Sequence, residues 1–135
     1  MRLTALLLLI LLSVSCTGPA NGSTANVRLQ SIPAAQAEIY KKVDLRWWKN
    51  PYVVVRSEGV GLLDVSNNLE HLLKTEELPD ALAQLPATAW PYGRVVALAD
   101  DFSPLADKNR IRDNKARVAS LLHSSQLEIQ WVPSS

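Results

Sequence analysis

The stretch RVVALAD, residues 94–100, decides how this chain is read. Side chains of a strand alternate between two faces, so Val95, Ala97 and Ala99 point one way and Val96 and Leu98 the other. Both sets are apolar. A strand of that kind belongs in the middle of a sheet covered on both sides, as parallel strands are in α/β proteins. The sequence downstream agrees. Ser103-Pro104 breaks the chain, and residues 107–124 then carry Ile111, Val118 and Leu122, helped by Leu121, on one helical stripe. Lys108, Arg110, Arg112, Asp113, Lys115 and Arg117 occupy the wet side, which reads as a solvated face. Residues 126–132, QLEIQWV, alternate again, with Leu127, Ile129 and Trp131 inward. Strand, helix and strand in succession imply a right-handed crossover and a parallel pair.

Upstream, YVVVR (residues 52–56) and VGLLDV (residues 60–65) flank Ser57-Glu58-Gly59 and predict a β-hairpin. Ser66-Asn67-Asn68 marks a second turn, from which residues 69–74 return as a third, weaker strand. Thr75 reads as the N-cap of a helix, with Glu76 and Glu77 at the positive end of its dipole. Leu78, Leu82 and Leu85, with Ala81, share one face of that helix, and Pro86 closes it. Residues 33–40 predict a short helix opened by Pro33, and the Asn50-Pro51 pair stops any helix before it. The fold class is therefore α/β, of an α+β-like kind: a small mixed sheet with a β-hairpin, a helix, then strand–helix–strand, and helices packed on the sheet.

The N-terminus carries a different message. Arg2 precedes an unbroken apolar run, residues 5–12, and Ser13, Val14, Ser15 and Cys16 follow. That is an export signal, too short to span a bilayer, which needs about 20 apolar residues. Val14-Ser15-Cys16 resembles the lipobox of bacterial lipoprotein precursors, although Ser13 stands where that family usually has Leu. The resemblance implies a Cys16 that is acylated, becomes the new N-terminus and holds the protein on a membrane, since several chains give stable anchoring where one does not. Ordinary cleavage after Ser15 or Ala20, giving a secreted soluble protein, is the alternative. TGPANGSTAN, residues 17–26, is small, polar and turn-forming, and reads as a flexible tether. Three parts result: a signal peptide at 1–15, an anchor Cys and tether at 16–26, and a single domain at 27–135. The expected location is the bacterial periplasm or cell surface.

From residue 52 to 132 the order of elements is similar to that of the periplasmic domain of biopolymer-transport energising subunits. Glu58-Gly59 in the hairpin, Glu77-Leu78 opening a helix and Ala99-Asp100 ending the central strand carry the likeness. That family anchors itself through a transmembrane helix with an essential acidic residue. The apolar run here contains no Asp or Glu, so motor function is not carried over.

Composition removes several functional classes. The chain has 135 residues, which allows one ordinary domain. Without Arg2 its 14 basic residues become 13, matching the 13 acidic ones, which gives no electrostatic footprint for nucleic acid. One Cys closes no internal disulfide, and with two His it furnishes no four-ligand zinc site. No Gly-x-Ser-x-Gly elbow occurs, and five Gly form no phosphate-cradling loop. His71 and His123 read as surface or cap residues. Neither a metal, a cofactor nor a catalytic residue is assigned.

Two candidate constellations remain. Asp100 and Asp101 stand at the carboxyl end of the central strand, where α/β domains place ligands, and Asp64 joins them if its strand is adjacent. They would serve a cation or acid–base work in a small hydrolase-like enzyme. Trp47, Trp48, Trp90 and Tyr92 form the other set, in the strings WKNPY and WPYG, as a binding patch for a protein or a cell-wall glycan. The reading that follows is a non-catalytic, envelope-tethered lipoprotein acting as an interaction or ligand-binding module, with a cation-dependent enzyme and a glycan binder as alternatives.

Overall fold

The RVVALAD strand does sit at the interior of a sheet. A computed structural model describes residues 23–65 and 67–133, so the export signal and Cys16 lie outside the described residues. Five strands form one mixed sheet: β1 (Tyr52–Val55), β2 (Val60–Asp64), β3 (Leu69–Leu73), β4 (Val95–Asp100) and β5 (Glu128–Trp131), in the order β3-β2-β1-β4-β5. The pairs β1–β2 and β2–β3 are antiparallel, while β1–β4 and β4–β5 are parallel. Helices α1 (Ser23–Gln30), α2 (Ala37–Tyr40), α3 (Leu78–Ala83) and α4 (Lys108–Ser124) complete the fold. Among the described residues no helix is long and apolar enough to cross a membrane.

Residues 95–99 of β4 are all buried, and the two sets of side chains enter two separate cores. On one face Val96 and Leu98 join Val53, Val55, Val60 and Leu62 beneath the helices. Leu29 of α1, Leu78 and Leu82 of α3, and Val118 and Leu122 of α4 are fully buried against them. Each such side chain contributes about 1.5–3 kcal/mol through the water it leaves. On the other face Val95 and Ala97 meet Tyr40, Trp48 and Tyr92, with Val43, Leu45 and Tyr52 half-buried around them. Among the described residues no long helix covers this face. The irregular segment between α2 and β1 does so, with Trp48 turned inward from it.

The local devices are mostly those the residue types favour. The Asp107 carboxylate caps α4 by accepting the Asn109 and Arg110 N–H groups at 3.1 and 3.2 Å. Pro79 sits in the first turn of α3, where its missing N–H costs nothing. Thr75 is not the cap expected of it. Lys74 is still extended after β3, so a 3-10 turn begins at Thr75 itself and the Glu77 carboxylate accepts the Lys74 N–H at 3.2 Å. The expected helix over 33–40 shrinks to the single turn α2. Residues 23–26, expected in the tether, belong to α1, because burial of Ala25 and Leu29 against the α3 side offsets the ordering of a polar sequence. Trp131 lies on the α4 side of β5 as the alternation requires. It is 47% exposed, since β5 is an edge strand and Trp131 its last residue.

One buried polar residue ties the halves together. Asn50 is fully buried just before β1. Its Nδ2 donates to the Gly93 and Val95 carbonyls at 2.7 and 2.9 Å, and its Oδ1 accepts the Tyr92 N–H at 2.8 Å. Gly93 holds φ at +79°, and a Cβ there would run into the Ala34 carbonyl. Asn50→Ala removes all three bonds and should lower the unfolding free energy by roughly 3 kcal/mol, read by urea denaturation.

Tyr40 adds a pH-dependent element. Its hydroxyl donates to the Glu128 carboxylate at 2.7 Å. That bond, then burial, then repulsion from Glu128 push the phenol up to about 12. The protonated phenol is the favoured form, so this contribution is complete below pH 10 and is lost as pH rises towards about 12. Burial raises Tyr52 as well, so two groups share the alkaline limb. Tyr40→Phe should make the loss of stability between about pH 10 and about pH 12 shallower, measured by denaturation at each pH.

Candidate functional site

The registers settle which candidate residues share a site. Val55 of β1 pairs with Asp100, whereas Tyr52, at the other end of β1, pairs with Leu63 next to Asp64. Asp64 therefore lies about 13 Å from Asp100 along the strand direction, at about 3.3 Å per residue. The expected three-carboxylate group is not formed. Asp64 instead accepts from Asn67 Nδ2 at 2.8 Å in the β2–β3 turn.

Asp100 and Asp101 are neighbours in sequence and, as alternation requires, face opposite sides of the sheet. Asp100 faces α4, and Lys115 Nζ lies 3.0 Å from its Oδ2. Its Oδ1 is buried without a hydrogen-bond partner among the described residues. The Lys115 ammonium also stands 5.2 Å from the Trp131 ring centroid, within cation–π reach. On the opposite face Asp101 meets Arg56 Nη1 at 3.2 Å and accepts the Ser103 N–H at 2.9 Å. Arg56 is in turn gripped in bidentate fashion by Glu70, at 2.6 and 2.7 Å. Glu70 can lie across the sheet because β2 has Gly61 beneath it; a Cβ there would meet the carboxylate. The Glu70 contact first, and the Asp101 charge after it, hold the Arg56 guanidinium in its charged form. The two acids are thus separate ion pairs and not a carboxylate dyad.

What the acids border is a cleft. An open volume of about 600 Å³ lies between the carboxyl end of β4 and the first two turns of α4. Asp100, Asp101, Phe102, Lys108, Arg112 and Lys115 line it. Lys108, Arg112 and Lys115 are spaced i, i+4, i+7 and so project along one stripe of α4. Lys115 is engaged by Asp100, but Lys108 and Arg112 have no ion pair among the described residues. Phe102 is 54% exposed at the rim. The cleft presents two uncompensated cations beside an aromatic ring.

The tryptophan candidates do not make a surface patch. Trp48, Trp90 and Tyr92 are buried. Trp48 packs on Tyr92 at 5.0 Å and edge-on to Tyr40 at 6.4 Å, and its Nε1 donates to the Pro51 carbonyl at 3.2 Å. Trp90 belongs to the other core, under the helices. The strings WKNPY and WPYG do come together, through Asn50, Trp48 and Tyr92, but as an internal clamp. Of the four candidates only Trp47 is exposed, at 73%.

His71 and His123 are both exposed, on β3 and in the last turn of α4. Among the described residues no three His, Cys, Asp or Glu side chains are placed to hold a metal ion. Arg56, Glu70 and Asn50 were not singled out by sequence, since their partners lie 14 or more residues away. The i, i+4, i+7 spacing of Lys108, Arg112 and Lys115 was visible, but nothing in the sequence showed that this stripe borders a cleft. No family model, no curated protein and no solved structure matches the chain.

The Asp100–Lys115 pair is testable by a double-mutant cycle. Lys115→Met leaves a partly buried carboxylate without its cation and should cost about 1 kcal/mol, and Asp100→Asn in the same chain should recover most of it. Additive losses would mean that the two side chains do not interact.

Proposed function

We propose that this protein is an exported bacterial lipoprotein, held on a membrane by acylated Cys16, whose domain binds a ligand through an anionic group on that ligand. The observation that carries the binding reading is the cleft at the end of β4. Its acids are already engaged by Arg56 and Lys115, while Lys108 and Arg112 face it with no ion pair among the described residues. A phosphate or carboxylate would supply that charge, and Phe102 offers a ring against which an apolar or planar part of the ligand could pack. The position supports the same reading, because the carboxyl ends of parallel strands are where α/β sheets bind ligands.

Catalysis has less support. A carboxylate that acts as a base or holds a cation needs to be free to do so, whereas Asp100 and Asp101 each face a basic side chain. Tethering is supported by the sequence alone: the apolar run, the small residues before Cys16 and the polar segment after it.

Two measurements test the two halves separately. Membrane-extracted protein should have the mass of a chain beginning at Cys16 plus acyl groups, and Cys16→Ala should leave the acylated fraction. Titration with inorganic phosphate and with glycerol phosphate, followed by amide chemical shifts, should move residues 101–115 selectively. Lys108→Ser with Arg112→Ser should weaken that binding by about tenfold or more. Shifts spread over all basic surfaces, or none at millimolar ligand, would remove the anion site while leaving the anchor reading untouched.

A further inference from the structure

Two exposed apolar side chains stand beside the cleft, and only one of them can be covered from inside it. After β4 the chain turns sharply. The Ser103 carbonyl accepts the Ala106 N–H at 3.0 Å, which puts Pro104 and Leu105 at the corner of the turn. Leu105 is 96% exposed, and Phe102, just before the turn, is 54% exposed. Phe102 lines the cleft and Leu105 does not. A soluble ligand held between Lys108 and Arg112 therefore leaves Leu105 in water. Single exposed apolar residues are ordinary on a protein surface, but a pair at one turn beside unpaired cations marks an interaction site.

The helix that follows supplies the charge. Lys108, Arg110, Arg112, Lys115 and Arg117 lie on α4, with Asp113 as its single acid. Asp100 engages Lys115, and Glu76 meets Arg117 at 3.5 Å. Lys108, Arg110 and Arg112 are exposed and have no ion pair among the described residues. They occupy the turns next to Leu105. Asp107, between them and the loop, already accepts the Asn109 and Arg110 N–H groups. An apolar tip with a cationic collar is the arrangement that enters a membrane interface, where Lys and Arg meet anionic headgroups.

We propose that the anionic group bound at the cleft is the headgroup phosphate of an anionic phospholipid in a bilayer, with Leu105 and Phe102 entering the interface beside it. The inference rests on the anion site at Lys108 and Arg112 and names its ligand. A lipid surface covers what a soluble ligand leaves bare, because headgroups reach the cations while Leu105 meets the acyl boundary. A second copy of the chain would instead set the same three cations against these. The position of the anchor agrees. Helix α1 begins beside the last turn of α4, where Ala25 and Asn26 border one cavity with Leu121, Ser124 and Ser125. The 17 residues of α4 span about 25 Å. A chain held through Cys16, seven positions before Ser23, and docked by Leu105 lies with α4 along the membrane and meets it at both ends.

Cosedimentation of the full chain carrying Cys16→Ser reads docking without the acyl anchor, and that chain retains no cysteine. Vesicles of phosphatidylcholine mixed with phosphatidylglycerol should bind it about tenfold or more tightly than phosphatidylcholine alone. Lys108→Ser with Arg112→Ser should remove most of that preference, since each basic residue near an anionic surface counts for about fivefold. Leu105→Ser should weaken binding to the mixed vesicles by about fivefold and leave the glycerol phosphate titration unchanged. A polarity-sensitive dye on Leu105→Cys should shift to the blue on mixed vesicles. The same dye on Trp47→Cys, in the segment that covers the opposite face of the sheet, should not. Equal binding to the two kinds of vesicle, or binding that Leu105→Ser leaves unchanged, overturns the lipid assignment. The glycerol phosphate titration contains no vesicles, so its failure removes the anion site itself and is distinguishable from either result.

Discussion

The Asn50 side chain is the constraint on which the rest of this structure depends. Parallel strands cannot be joined by a tight turn, so β1 and β4 meet only after a long excursion through β2, β3 and α3 has been closed. Closing it costs chain entropy, and the contact that compensates must form where the two strands enter the sheet. Asn50 does this with three bonds, to residues 92 and 93 in the turn that feeds β4 and to Val95, its first residue. The same turn binds a third segment: the Arg94 N–H donates to the Pro33 carbonyl, and the Gln36 N–H to the Tyr92 carbonyl. Gly93 is required there because the Ala34 carbonyl occupies the space a side chain would take. Once these groups are joined, the β1–β4 register is set and both cores can form around it.

The second core follows from that junction. Among the described residues no long helix lies over Val95 and Ala97, and coverage falls to the segment that Asn50 and Pro33 already hold in place. Large rings suit an irregular segment, because one Trp or Tyr covers an area that would otherwise need several aliphatic residues from a regular helix. Trp48, Tyr40 and Tyr92 fill that role, and Glu128 satisfies the Tyr40 hydroxyl from β5. The aromatic residues are therefore explained by the demand for cover before any demand for a ligand.

That demand also marks the boundary of what the sequence makes legible. Period-two and period-3.6 patterns report which residues leave water, so β4, the hairpin, the weak third strand, α3 and α4 could all be read from it, as could the mixed sheet with helices on it. Nothing in a periodicity reports what covers the far side of a sheet. WKNPY and WPYG lack a period, so their burial could be learned only from the tertiary structure. The site shows the same division. Asp100 was legible as the end of a central strand, but the ion pairs that decide its chemistry join residues 15 apart, and those of Arg56 join residues 14 and 45 apart. Asp64 was misplaced for a related reason: β1 lies between β2 and β4, and periodicity tells neither the strand order nor which end of a strand meets its neighbour's. Only the register does.

Alternation gives the carboxyl end of the sheet its asymmetry. Asp100 and Asp101 are consecutive, so each must serve a different face. On the face away from the long helix, Arg56 is shared by Asp101 and Glu70, and the three charges close on one another across β3, β2, β1 and β4. The arrangement staples strands together, with one guanidinium between two carboxylates. On the α4 face a single carboxylate meets a stripe of three cations, and Lys115, the nearest, is also drawn over Trp131. One acid cannot balance three bases. Negative charge is therefore in excess on one side of the sheet and positive charge on the other, although the domain as a whole is close to neutral. A near-zero net charge excludes a general attraction to polyanions. It does not exclude a local one, and alternation along β4 is what makes the local excess.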